Sequence, residues 1–265
     1  MSFAPALPLT GYAGWKFLDR TLATQRAAFE QSAPQQREAD HVRSRMARVT
    51  SAADLVADRQ LLRVALDAFG LGEDIDARAF IRRILEDGTE NPQALANRLA
   101  DRRYRAFAGA FNFAGPGPPA TRDPGFADRL LTAANERRFE AAVGTRDEAL
   151  RLALALQRDL GEVAAQPGTE GSKWFAILGT PPLRRVFETA FGLPKGFPAL
   201  DLDRQVEILR DRSRRAFGTD DVAQFSDPAR MEALTRRFLL QDQIAEASAA
   251  PVRGALALQL LRPAG

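Results

Sequence analysis

The chain has 265 residues, 45% of them apolar, and its 37 basic side chains stand against 34 acidic ones for a formal charge of only +3. That is enough apolar material for one large or two small cores. With no cysteine, disulfides, thiolate zinc sites, iron–sulfur clusters and cysteine nucleophiles are excluded together, which fits a reducing compartment.

Helix signals recur from end to end and alternating β-branched strand patterns are nearly absent, so the expected class is all-α and multi-helical. Residues 1–50 read as an N-terminal arm followed by helices. Pro5 and Pro8 keep the first ten residues extended, and Trp15, Leu18 and Leu22 share one face of a helix from Tyr12 to about Phe29. Lys16, Asp19 and Arg20 interrupt any apolar stretch there, so no secretory signal peptide is expected. A second helix is predicted from about Pro34 to Val49.

Residues 51–114 form a first predicted helical module. Asp58 caps a helix whose apolar stripe is Leu62, Leu66 and Phe69 and which stops before Gly70. Asp76 is predicted to cap the next helix, with Phe80, Ile84 and Leu85, and Asn91-Pro92 to open another. Gly115-Pro116-Gly117-Pro118-Pro119 cannot continue a helix and reads as a linker.

An αα-hairpin is predicted over 123–165, with Asp123-Pro124 starting its first helix and Thr145 and Glu148 forming a capping box for its second. Ala149, Leu152, Ala153, Leu156, Leu160 and Val163 give that second helix one buried face. A second module follows over 173–247, and a tail helix over 248–265. The two modules are related in sequence: Val64 to Leu71 and Val186 to Leu193 both end in Ala-Phe-Gly-Leu, at an offset of 122 residues. The alternative is that this is a favourable helix ending used twice. No apolar run approaches the roughly 18–20 residues needed to cross a bilayer.

His41 is the only histidine, which removes most acid–base and metal machinery at neutral pH. Glu38 and His41 make one Glu-x-x-His pair, whereas a di-iron bundle requires two, so a solvated helix face is the expected role. Gly168 to Lys173 lacks the Gly-Lys-Ser/Thr order of a phosphate loop. Asp201, Asp203, Asp220 and Asp221 lack the glycine and closing glutamate of a calcium loop and read as helix caps. No catalytic, cofactor-binding or metal-binding residue is assigned, no cofactor is expected, and the chain is read as a non-enzyme.

Arg102-Arg103-Tyr104-Arg105-Ala106-Phe107 and the group Arg210, Arg212, Arg214 and Arg215 raise nucleic-acid binding as the alternative function. The pI of 9.8 mainly reflects arginine rather than excess charge, and Tyr104, Phe107 and Phe111 have the spacing of an inward helix face. A protein partner is therefore preferred, with self-association as a further option. It is placed at the chain ends: Phe3, Leu7, Leu9, Trp15 and Phe17 in a proline-bearing arm, and Leu256, Leu258, Leu260 and Leu261 in a tail helix apolar on more than one side. Docking of both ends on the chain's own core is the competing reading.

The run from Val49 to Leu62, Val-Thr-Ser-Ala-Ala-Asp-Leu-Val-Ala-Asp-Arg-Gln-Leu-Leu, followed by Ala65 to Leu71, resembles the domain of unknown function numbered 1217 of alphaproteobacteria. Gly11-Tyr12-Ala13-Gly14-Trp15, Asn97-Arg98-Leu99-Ala100-Asp101, Arg138-Phe139-Glu140 and Leu202-Asp203-Arg204-Gln205-Val206-Glu207 extend the resemblance in order from about Gly11 to Ile244. The family is associated with flagellar gene clusters. The resemblance implies an accessory, assembly or export-linked role in the cytoplasm, including the flagellar base, and carries no catalytic residue with it.

Overall fold

A computed structural model describes residues 3–99 and 101–249. Among the described residues every regular element is helical: thirteen α-helices and five short 3-10 turns, with no strand. The chain divides into two compact units, Met1–Ala6 with Arg20–Thr145 and Leu7–Asp19 with Arg146–Gly265. The first helix, α1 (Gly11–Glu30), contributes its first half to the second unit and its second half to the first.

The first unit continues through α2 (Ala33–Arg45), α3 (Ala52–Ala57), α4 (Arg59–Ala68), α5 (Arg78–Asp87), α6 (Leu95–Arg98), α7 (Arg102–Phe111) and α8 (Phe126–Gly144). α4 packs along α8, and Leu62, Leu66, Ile81, Ile84, Phe107, Phe111 and Leu130 belong to one buried cluster. Local chemistry sets the short helices. Ser51 and Asp54 form a reciprocal capping box on α3, and Asp58 accepts from the amides of Gln60 and Leu61 at 3.0 and 3.1 Å to start α4.

Three predicted starts are placed differently. Asp76 does not cap α5. Its carboxylate pairs with Arg59 at 2.8 Å, and Ala77 occupies the cap position without a side-chain bond. Asn91 accepts from the Gln93 amide at 2.9 Å, a local turn that competes with helix and delays α6 to Leu95. Asp147, rather than Thr145, caps the helix after α8, accepting from the Leu150 amide at 2.9 Å. Thr145 closes α8 instead, which runs through Gly144, and its hydroxyl donates to the Ala142 carbonyl.

The second unit holds α9 (Glu148–Ala165), α10 (Glu170–Leu178), α11 (Pro181–Ala190), α12 (Leu202–Phe217) and α13 (Pro228–Ala249). α11 packs on α9 and α13, and α10 on α12. Its core is aromatic. Phe187 lies 5.5 Å from Trp174, 5.6 Å from Phe191 and 5.9 Å from Phe225, each edge-on.

The two Ala-Phe-Gly-Leu segments end α4 and α11 in the same way. Gly70 and Gly192 take φ of +70° and +59°. The following leucine amides reach back to Leu66 and Glu188, 2.8 and 2.9 Å away. This is the left-handed glycine stop that satisfies the free carbonyls of a helix end. In both units a 3-10 turn and then an arginine-bearing helix, α5 or α12, come next.

Candidate interaction surface

The residues singled out near the N-terminus separate on folding. Phe3 is half-buried, 5.4 Å from Phe29 and 6.0 Å from Phe139 within the first unit. The amide and carbonyl of Ala6 both meet the Gln25 side chain. Leu7 and Phe17 are half-buried, Leu9 is 50% exposed, and Trp15 is only 1% exposed. The expectation that Trp15 is presented outward is therefore corrected, because the second unit supplies both a pocket and a hydrogen-bond acceptor for its ring. Leu256, Leu258, Leu260 and Leu261 lie outside the described residues.

That acceptor is Glu232 on α13. It takes hydrogen bonds from the Tyr12 hydroxyl at 2.7 Å, the Trp15 indole nitrogen at 3.2 Å and Lys16 at 3.2 Å. Arg236, one turn further on, sits over the Tyr12 ring at 5.5 Å. Burial raises the Glu232 carboxyl, but the three donors outweigh it and hold it below its ordinary range. The start of α1 is thus clasped to α13 by side chains that no local pattern links.

Beyond the clasp, α13 changes character. Met231, Leu234, Phe238 and Leu239 are buried, whereas Leu240 and Ile244, one turn apart on the same helix face, are 41% and 57% exposed. Asp242 faces another way, into a cleft of about 870 Å³ bounded by α9, α11 and α13 and lined in part by Leu152, Pro182, Arg185 and Glu246. Burial pushes the Asp242 carboxyl up, Glu246 and Asp147 add to the rise, and Arg185 offsets part of it.

The residues weighed for chemistry have partners of other kinds. Glu38 and His41 do not converge: Glu38 binds Arg138, and His41 Nε2 lies 2.8 Å from Asp58. Thr169 caps α10, and Lys173 donates to the Ala164 carbonyl at 3.1 Å. Asp221 caps the turn at Val222–Ser226, and Asp220 pairs with Arg210 at 2.6 Å. Asp201 makes no side-chain cap. Among the described residues no group of three or more metal-capable side chains comes together, and no helix is long and apolar enough to cross a membrane.

In the Arg-rich stretch of α7, Arg103 binds Asp101 at 2.6 Å and Phe107 and Phe111 are buried. Tyr104 donates to Asp74 at 2.8 Å, and burial together with that carboxylate pushes its hydroxyl pKa up to about 12. On α12, Arg215 pairs with Asp211 at 2.9 Å.

The Asp58 carboxylate serves two elements at once, capping α4 with one oxygen and meeting His41 on α2 with the other. Burial pulls its pKa up, yet the bonds from Leu61, His41 and Gln60 win and leave it below the ordinary carboxylate value. Its stabilising contribution is therefore present above the unfolded carboxylate pKa and disappears as pH falls through the lower folded value. Asp58→Ala is expected to cost about 1–2 kcal/mol at neutral pH. The gap to the parent chain should close in acid, as read by urea melts across the acid range.

A protein from Agrobacterium tumefaciens, AGR_C_984, has a crystal structure similar to this one. The two share 24% identity, the match covers 91% of this chain and 99% of that one, and the TM-score is 0.73. At that identity the likeness establishes the fold alone. Among functionally curated proteins none matches. The sequence profile of the family described as Protein of unknown function (DUF1217) matches residues 68–231, more than half of the chain, and the protein belongs to that family.

Proposed function

We propose that the chain is a non-enzymatic helical protein-interaction or assembly factor associated with the bacterial flagellum, built on a duplicated helical module and working in the cytoplasm, including at the flagellar base. The observation that carries the interaction reading is the exposed pair Leu240 and Ile244 at the end of a helix whose preceding apolar residues are buried. Large apolar side chains grouped on an exposed helix face suit the groove or helix of another protein. In sequence they lead into Leu256, Leu258, Leu260 and Leu261. The flagellar setting rests on the resemblance of the sequence. The duplicated module is supported by the two matching glycine stops and by the shared order of elements after them. Nucleic-acid binding is less favoured because Arg103, Arg210 and Arg215 in the two basic segments are held by carboxylates.

Deleting the gene in the source bacterium is expected to abolish or cripple swimming. Normal motility with normal flagellar number in the deletion strain overturns the flagellar reading. Leu240→Glu with Ile244→Glu is expected to leave stability within about 0.5 kcal/mol of the parent, as for other exposed positions, while failing to restore motility to that strain. Full restoration by this folded double variant removes the assignment of the surface.

A further inference from the structure

One face of α12 carries charge in a fixed order. Asp203, Glu207, Arg210 and Arg214 fall at i, i+4, i+7 and i+11, so they form a single stripe, with both carboxylates toward the start of the helix and both guanidiniums toward its end. The four line a groove of about 380 Å³ between α12 and α10, and the half-buried Phe175 of α10 stands on its other wall. Most charges of α12 are settled within the chain: Arg204 with Glu207, Arg210 with Asp220 at 2.6 Å, and Arg215 with Asp211 at 2.9 Å. The two ends of the stripe differ. Asp203 and Arg214 are both exposed, and neither joins an ion pair among the described residues. Arg214 acts on Asp220 only at longer range.

The order is complementary to itself. On a helix rising 1.5 Å per residue, the midpoint between Ile208 and Leu209 is about 8 Å from both Asp203 and Arg214, and about 2 Å from both Glu207 and Arg210. A two-fold axis through that midpoint, at right angles to α12, sets every carboxylate of the stripe against a guanidinium of a second copy. No other antiparallel register does so for all four, and a parallel one opposes like charges. The same rotation puts α10 of both copies on one side of the pair, which brings the two Phe175 rings to a common edge.

We propose that α12 is the contact of a symmetric homodimer, lying antiparallel on α12 of a second copy, with Asp203 paired to Arg214 of that copy and Arg214 to its Asp203. Such an interface is isologous, and its charge order fixes the register. With one helix and the edge of another from each copy, it belongs to the small, weakly associating class. It lies on α12 and needs no flagellar partner, so it can fail while the reading of Leu240 and Ile244 stands, and the reverse.

Sedimentation equilibrium of the full-length protein is expected to show a reversible monomer–dimer equilibrium. An exposed ion pair shifts an equilibrium by up to about fivefold and symmetry makes two of each, so Asp203→Arg alone, or Arg214→Asp alone, should weaken the dimer by about 25-fold. An equimolar mixture of these two single variants should regain it as a heterodimer, because each reversed charge then meets its opposite. The double variant, Asp203→Arg with Arg214→Asp, keeps the net charge of the parent and should regain it as a homodimer. Both positions are exposed, so the melting temperatures of all four proteins should agree. A parent chain that stays monomeric up to about 1 mM overturns the proposal. So does a dimer indifferent to both single reversals, including one lost instead on replacing Leu240 and Ile244 by glutamate. Folded single variants whose mixture stays monomeric overturn the register.

Discussion

Arg138→Met is expected to destabilise the first unit by about 3–5 kcal/mol, the usual cost of leaving buried carboxylates without their cation. Arg138 on α8 joins two other helices: its Nε donates to Asp67 of α4 at 2.6 Å, and its terminal nitrogens reach Glu38 of α2, one of them at 3.2 Å. The pair with Glu38 through Nη1 is tighter still, and Gln35 completes the shell at 3.4 Å. All three charged side chains are at least 79% shielded, with side-chain exposures of 16%, 15% and 21%.

Burial pushes Asp67 above its ordinary pKa even with Arg138 beside it. A raised folded pKa means a contribution that is present below the unfolded value and lost as pH rises through the folded one. Without Arg138 the rise is larger, so the deficit of the variant should be small near pH 4 and complete near pH 7, both rough positions on the carboxylate scale. Denaturant melts at the two pH values read this directly. Replacing Glu38 and Asp67 by leucine in the same variant should recover most of the loss, since an apolar trio of similar volume is often as stable as a buried ion network. Failure of acid to narrow the gap shows that the loss is one of packing rather than charge.

Phe187→Ala should cost about 3–5 kcal/mol in the second unit, the range for deleting a fully enclosed aromatic ring. Phe187 is 0% exposed and is ringed by Trp174, Phe191 and Phe225. The cavity opens beside Trp174, whose indole nitrogen donates to the Asp220 carbonyl at 2.9 Å, so loss of packing there also loosens the chain after α12. Hydrogen exchange resolved by peptide is the suitable measurement, with protection falling in α10 and α11. Unchanged protection in both helices refutes the prediction.

What could be read in the chain without coordinates was the chemistry that acts within a few residues. Asp58 was recognisable as a cap because its amide donors lie two and three positions ahead, and Gly70 as a stop because φ near +70° strains most residues other than glycine and asparagine. Where two candidates compete within one turn, as Thr145 and Asp147 do, composition does not decide between them, and the winner depends on how far the preceding helix runs.

The Arg138 network was illegible for a different reason. Its partners are 71 and 100 positions away, and Glu38 already had a plausible neighbour in His41. Trp15 misled similarly: an amphipathic end helix looks the same in sequence whether it meets a partner or, as here, a glutamate 217 residues downstream. The exposure of Leu240 and Ile244 was hidden because α13 mixes apolar and charged residues along its whole length, and exposure is set by where α9 and α11 stop covering it.

The clasp at Glu232 has an optical consequence. The chain has two tryptophans, Trp15 and Trp174. Both are buried in the second unit, the first of them brought there by the opening turns of α1. Emission excited at the red edge of tryptophan absorption therefore reports the second unit alone, while far-ultraviolet dichroism weighs the helices of both. A single preparation unfolded under the two probes yields two curves, and any separation between their midpoints measures how independently the units melt.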